Sequence, residues 1–197
     1  MINKDYLIPS WNISRKLEKS SASHAPRAFY FDLGASYYNS GLGGPSQSWF
    51  IETYEKRGVA WKGIFSWEGI PQDPAKTWEV IPDRLKPYYH WYNIPVSSVP
   101  GHPDNALSYI KTIARPEDYV LLKIDIDHNP TETGIIKQLL ASDELLGLVD
   151  ELYFEHHVNV GPMHYHWNTA QDKERLADTY RLFNAMRQKG ILAHPWI

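Results

Sequence analysis

The chain is predicted to be an α/β domain, a doubly wound, mostly parallel sheet of about six strands with helices on both faces. Two observations predict it. Strand-like apolar runs alternate with helix-like segments along most of the length. Three of those runs also end in acids: Arg27 to Ser36 (Arg-Ala-Phe-Tyr-Phe-Asp-Leu-Gly-Ala-Ser), Ile-Phe-Ser-Trp-Glu closing at Glu68, and Val-Leu-Leu-Lys-Ile-Asp-Ile-Asp closing at Asp125 and Asp127. Ligands of open α/β sheets sit at the carboxyl ends of the strands, so acids placed there suggest a binding site.

Each element has its own signal. Residues 1–26 read as a leader, charged at Arg15, Lys16, Glu18 and Lys19 and then rich in serine; residues 27–197 form the domain. Strand one is Phe29 to Leu33, followed by a loop held open by Gly41, Gly43, Gly44 and Pro45. Ser46 is placed to cap a helix that runs to about Arg57 and stops at Gly58. Strand two is Gly63 to Trp67, and a helix follows Pro74. The aromatic run Tyr88 to Tyr92 leads into strand three at Ile94 and Val96. Asp104 caps a helix reaching Ala114, and strand four is Tyr119 to Ile126. Thr131 caps the next helix, ending near Ser142, before strand five at Glu151 to Val158. Asn168 to Lys189 is a long amphipathic helix, and Ile191 to Trp196 is a sixth short strand.

Composition narrows the classes of function. The chain has 197 residues, 43% hydrophobic and 22% charged, enough for one substantial core. Its net charge is −3 and no basic run occurs, which argues against a partner bound through nucleic-acid phosphates. Cysteine is absent, which excludes disulfides, thiolate metal sites and a cysteine nucleophile. There is no apolar signal core and no run long enough to span a membrane, so a cytoplasmic protein without a membrane partner is expected.

Four groups of residues carry chemistry. In Asp32-Leu33-Gly34-Ala35-Ser36, glycine permits positive φ and close approach, the loop and helix beyond can offer backbone amides to an anion, and Asp32 can accept from an ammonium or from backbone donors. A capped turn without a ligand would read the same way. Glu68 closes strand two, where a carboxylate can accept both hydroxyls of a ribose. Lys123, Asp125 and Asp127 share one face of strand four, and Glu151, Tyr153, Glu155 and His157 share one face of strand five. A mid-strand lysine needs a carboxylate partner. The group is either a structural ion-pair network or a set in which Asp125, Asp127 and His157 serve an acceptor hydroxyl as base or orienter. Lastly, His156, His157, His164 and His166, with His128 nearby, form either a chelating cluster or a polar loop; no metal ligand is assigned. The aromatic run at Tyr88 to Tyr92 reads as core more readily than as a stacking platform.

Phe31-Asp32-Leu33-Gly34-Ala35, Phe65-Ser66-Trp67-Glu68, Leu122-Lys123-Ile124-Asp125-Ile126-Asp127 and Leu152-Tyr153-Phe154-Glu155-His156-His157 occur in that order. Together they resemble the Rossmann-like class I S-adenosylmethionine-dependent methyltransferases, of the FkbM type, over about Ala28 to His157. The resemblance implies a methyl donor held by Asp32, Gly34, Ala35 and Ser36, with Glu68 on its ribose. It also implies methyl transfer to an oxygen of a small-molecule or glycan-like acceptor. Two positions depart from the family pattern. Tyr37 and Tyr38 stand where a second glycine is usual, and Asp127-His128 replaces Glu-Gly. Two alternatives therefore stay open: a degenerate member serving as a non-catalytic binding or scaffold domain, and a metal-dependent hydrolase using the late His and Asp residues.

Overall fold

The computed structural model describes residues 25–41, 44–163, 167 and 173–196. Nearly all of the expected leader, Gly43, His164, His166 and the start of the helix expected from Asn168 lie outside the described residues. The strands are β1 (Ala28–Leu33), β2 (Trp61–Trp67), β3 (Tyr89–Tyr92), β4 (Tyr119–Ile124), β5 (Glu151–Phe154) and β6 (Leu192–Pro195). They form one sheet in the order β3-β2-β1-β4-β5-β6, every pairing parallel. That is the doubly wound, Rossmann-like order, which reverses direction between β1 and β4. The predicted fold class is therefore the observed one.

Among the described residues, the α-helices with defined bounds are α1 (Ser46–Glu55), α2 (Pro74–Val80), α3 (Ala106–Ile113), α4 (Asn129–Leu140), α5 (Asp143–Leu148) and α6 (Leu176–Gln188). None of the described helices is long and apolar enough to cross a membrane. Local chemistry moves several boundaries from their expected places. Pro45, not Ser46, precedes α1, and no side chain caps it. The Asn105 carboxamide, not Asp104, accepts from the Ser108 amide to start α3. α4 begins two residues before Thr131, with His128 at its cap position and Pro130 in its first turn. β3 is the aromatic run itself: Tyr89 and Trp91 face one core and Tyr92 the other, whereas Ile94 is exposed. β4 and β5 end before their acids, so Asp125, Asp127, Glu155 and His157 belong to the turns beyond the strands.

The period-two pattern of each strand sorts its side chains into two cores. On one face Phe29, Phe31, Leu33, Leu122, Ile124 and Phe154 pack against α3 to α6, through Ile110, Ile135, Leu139, Leu145 and Phe183. Each such side chain contributes roughly 1.5–3 kcal/mol when fully buried. The other face is aromatic: Tyr30, Trp61, Tyr89, Tyr119 and Tyr153 meet Phe50, Ile51 and Tyr54 of α1. Asp32 and Lys123 lie on this second face by the same parity. The site's deepest charges are thus set among rings rather than in water.

Candidate functional site

The β1 turn is wired to itself. Gly34 has φ +85°, and a Cβ there would sit 1.6 Å from the Asp125 carbonyl oxygen, so only glycine lets the turn pass so close to the end of β4. The Gly34 and Ala35 amides both donate to the Trp67 carbonyl at 3.0 Å. The Ser36 amide donates to Glu68 Oε2 at 2.8 Å, and the Ile70 amide to Glu68 Oε1 at 2.7 Å. From α1, the buried Gln47 carboxamide donates to the Ala35 and Ser36 carbonyls. The amides of Gly34, Ala35 and Ser36 are thus all bonded within the chain.

Asp32 is fully buried, and its Oδ2 has no hydrogen-bond partner. Its Oδ1 accepts from the Lys123 ammonium at 3.0 Å. The same ammonium donates to the Gly34 carbonyl at 2.9 Å and lies 3.2 Å from Asp125 Oδ2. Burial opposes the charge on Lys123, but Asp32 and Asp125 outweigh it and hold its pKa above the ordinary lysine range. Burial lifts the Asp32 pKa, with Lys123 and Tyr30 offsetting part of that rise. Asp125, less enclosed, is held below the carboxylate range: Lys123 and the Trp196 indole, whose N–H donates to Oδ2 at 3.1 Å, overcome its burial. The mid-strand lysine is paired with a carboxylate of its own face, as its position predicts, and with Asp32 as well.

Beyond this staple, the ends of β4 and β5 meet in a second cluster. Asp127 has φ +58° and its side chain is 73% exposed. The His157 side chain is only 5% exposed, with Nε2 3.2 Å from Glu155 Oε2 and 3.7 Å from Asp127 Oδ1. The Trp167 ring stacks on the His157 imidazole at 5.0 Å, and its indole N–H donates to Glu155 Oε1 at 3.1 Å. Glu132, from the first turn of α4, accepts the Ile126 amide through Oε1 at 2.8 Å and so fixes the turn that presents Asp127. Its other oxygen is buried without a hydrogen-bond partner, as is His157 Nε2.

Crowding separates the titration of these groups. Burial pushes Glu132 up to about 7. Burial and the neighbouring Asp125 raise Glu155 as well. Burial opposes a proton on His157, but Glu155, Glu132 and Asp127 outweigh it and raise its pKa above the ordinary imidazole range. Acids therefore crowd at this edge, with Glu132 and Glu155 as the raised carboxyls and Asp125 as the lowered partner of Lys123.

The predicted catalytic residues Asp125, Asp127 and His157 are brought to one edge of the sheet. Glu68 caps the β1 turn at the carboxyl end of β2. His156 points elsewhere, with Nδ1 on Thr179 and Nε2 on Glu174, and His128 pairs with Thr131, so among the described residues the imidazoles do not gather. Glu132, Trp167 and Trp196 were not singled out from the sequence. Glu132 carries only the generic signal of an acid in a helix's first turn, and the two tryptophans carry none. Comparison of the chain with protein-family models, with curated proteins and with solved structures finds no match.

Proposed function

We propose that the protein is an S-adenosylmethionine-dependent methyltransferase acting on an oxygen of a small-molecule or glycan-like acceptor. The observation that carries this reading is Glu68. It ends β2 beside the β1 turn, and each of its oxygens spends one lone pair on a backbone amide. Each keeps a second lone pair for a hydroxyl, so Glu68 fits the ribose position. Asp32, Gly34 and Ala35 fit only as the scaffold that holds the turn.

The donor supplies an already activated methyl group, so the chain's task is alignment. Asp127 is the carboxylate of the cluster that reaches solvent, and His157 stands between it and Glu155, where an imidazole can take a proton. A rival reading, a binding domain without a donor, draws on the engaged amides of the β1 turn.

Calorimetry with S-adenosylmethionine and its demethylated product separates the two. The expected result is saturable binding of both, weakened about tenfold or more in Glu68→Gln, as the loss of a charged acceptor worth roughly 1.5–3 kcal/mol requires. No binding to the wild-type chain abandons the methyltransferase reading.

A further inference from the structure

We infer that Asp127, Glu155 and His157 form a binding site for one divalent transition-metal ion, such as Mn²⁺ or Zn²⁺. Each residue offers one ligand atom, and the three atoms lie within 4.8 Å of one another. Ions of this kind bond carboxylate oxygen and imidazole nitrogen at about 2.0–2.2 Å, which sets the edge of a tetrahedron at roughly 3.3–3.6 Å. The Nε2 distances to Glu155 and Asp127, 3.2 and 3.7 Å, bracket that edge.

A second observation separates this cluster from an ordinary ion-pair patch. His157 Nε2 is buried and faces both carboxylates, and although Glu155 Oε2 lies 3.2 Å away the two do not have the geometry of a hydrogen bond. Buried polar atoms are rarely left so. A metal ion would take its lone pair. Glu132 Oε2, fully buried and equally without a partner, belongs to the same charge group and would be offset by the ion's charge. The supports a metal site needs are also in place. Trp167 stacks on the imidazole and donates to Glu155. Glu132 pins the turn that carries Asp127.

The ligand set is mixed, two carboxylates and one imidazole, which suits Zn²⁺ or Mn²⁺ better than a site of oxygen alone. Asp127 is exposed, so the remaining coordination positions open toward solvent, and an oxygen-bearing small molecule can complete them. The site does not depend on methyl-donor binding: a chain that ignores S-adenosylmethionine can still hold the ion. Ligation and proton acceptance exclude each other at Nε2, so a metal-loaded chain uses His157 as a ligand.

The test is titration of the chelator-treated protein with Mn²⁺, followed by electron paramagnetic resonance of the free ion, and with Zn²⁺ by calorimetry. One equivalent should bind at micromolar concentration. Asp127→Asn, which keeps a residue tolerant of the left-handed turn, and His157→Gln should each weaken binding at least tenfold. Lys111→Gln, on the surface at the Glu144 ion pair, should leave it unchanged. The inference is overturned if neither ion binds saturably below about 1 mM, a weak limit for a specific site. It is equally overturned if both ligand variants bind as tightly as the wild type.

Discussion

The two acid-bearing edges of the sheet differ in what their polar atoms do. At the β1–β2 edge, the amides of residues 34 to 36 and both oxygens of Glu68 already have partners. At the β4–β5 edge, Glu132 Oε2 is buried without one, and His157 Nε2 has only the Glu155 and Asp127 carboxylates beside it. Similar residue types at equivalent strand ends thus serve opposite ends. One edge uses Glu68 and backbone amides to close a turn, with Asp32 Oδ2 and Trp67 Nε1 left buried without partners. The other gathers carboxyls around a buried imidazole, also with an unpartnered oxygen, at a cost in stability. Such cost is borne at functional sites.

The largest expected effect tests the closed edge. Lys123→Met should destabilise the chain by about 3–5 kcal/mol, because it leaves a buried Asp32 charge without its partner. Adding Asp32→Asn should recover at least half of that loss. Urea denaturation of both variants checks this, and a single variant as stable as the wild type would remove the ion pair's structural role. Gly34→Ala should cost about 2–4 kcal/mol, since the added carbon meets the Asp125 carbonyl and the φ disfavours a side chain. Its denaturation midpoint should fall even if no ligand ever binds.

At the open edge the sign reverses. Glu132 has a folded-state pKa of about 7 against an ordinary 4.5, so the folded chain holds the extra proton between those values. Stability therefore declines as pH rises through that window, and the full cost is present above it. In metal-free buffer, Glu132→Gln should stabilise the chain by about 1–3 kcal/mol at pH 8 and lose the advantage below about pH 4.5. Equal gains at both pH values would refute the assignment. The smallest effect is expected at Asp127→Asn. An exposed residue in a turn that asparagine tolerates should change stability by under about 0.5 kcal/mol. A larger loss on thermal denaturation would show that Asp127 belongs to the scaffold.

What was legible in the sequence follows from what is local. Phe29, Phe31 and Leu33 alternate with Tyr30 and Asp32, so β1, its two faces and its terminal turn could be read directly. The shared parity of Lys123 and Asp125 likewise foretold their pairing. Position in three dimensions was not local. Asp32 reads as a ligand contact until α1 and β4 close over it. Glu132 reads as a surface acid until its helix brings it under the Asp127 turn. Ser142 followed by Asp143 and Glu144 is a cap with an acidic first turn, a signal that could have revealed α5. Ile94 and Val96 misled because aliphatic residues suggest strands, whereas the rings from Tyr89 to Tyr92 supply the alternation that pairs with β2.

The Lys123–Asp32 staple joins residues 91 apart. β1 can pair with β2 early, but its other edge waits for β4. At a synthesis rate of about 5–20 residues per second, that wait lasts roughly 5–20 s on the ribosome. Until β4 arrives, Asp32 has no cation and the unpaired edge of a strongly aromatic strand stands open. The pairing that seals the centre of the sheet is non-local, and such contacts form slowly. The vulnerable moment in this chain's life is therefore before β4 has been made, when a neighbouring chain's strand can occupy the place beside β1.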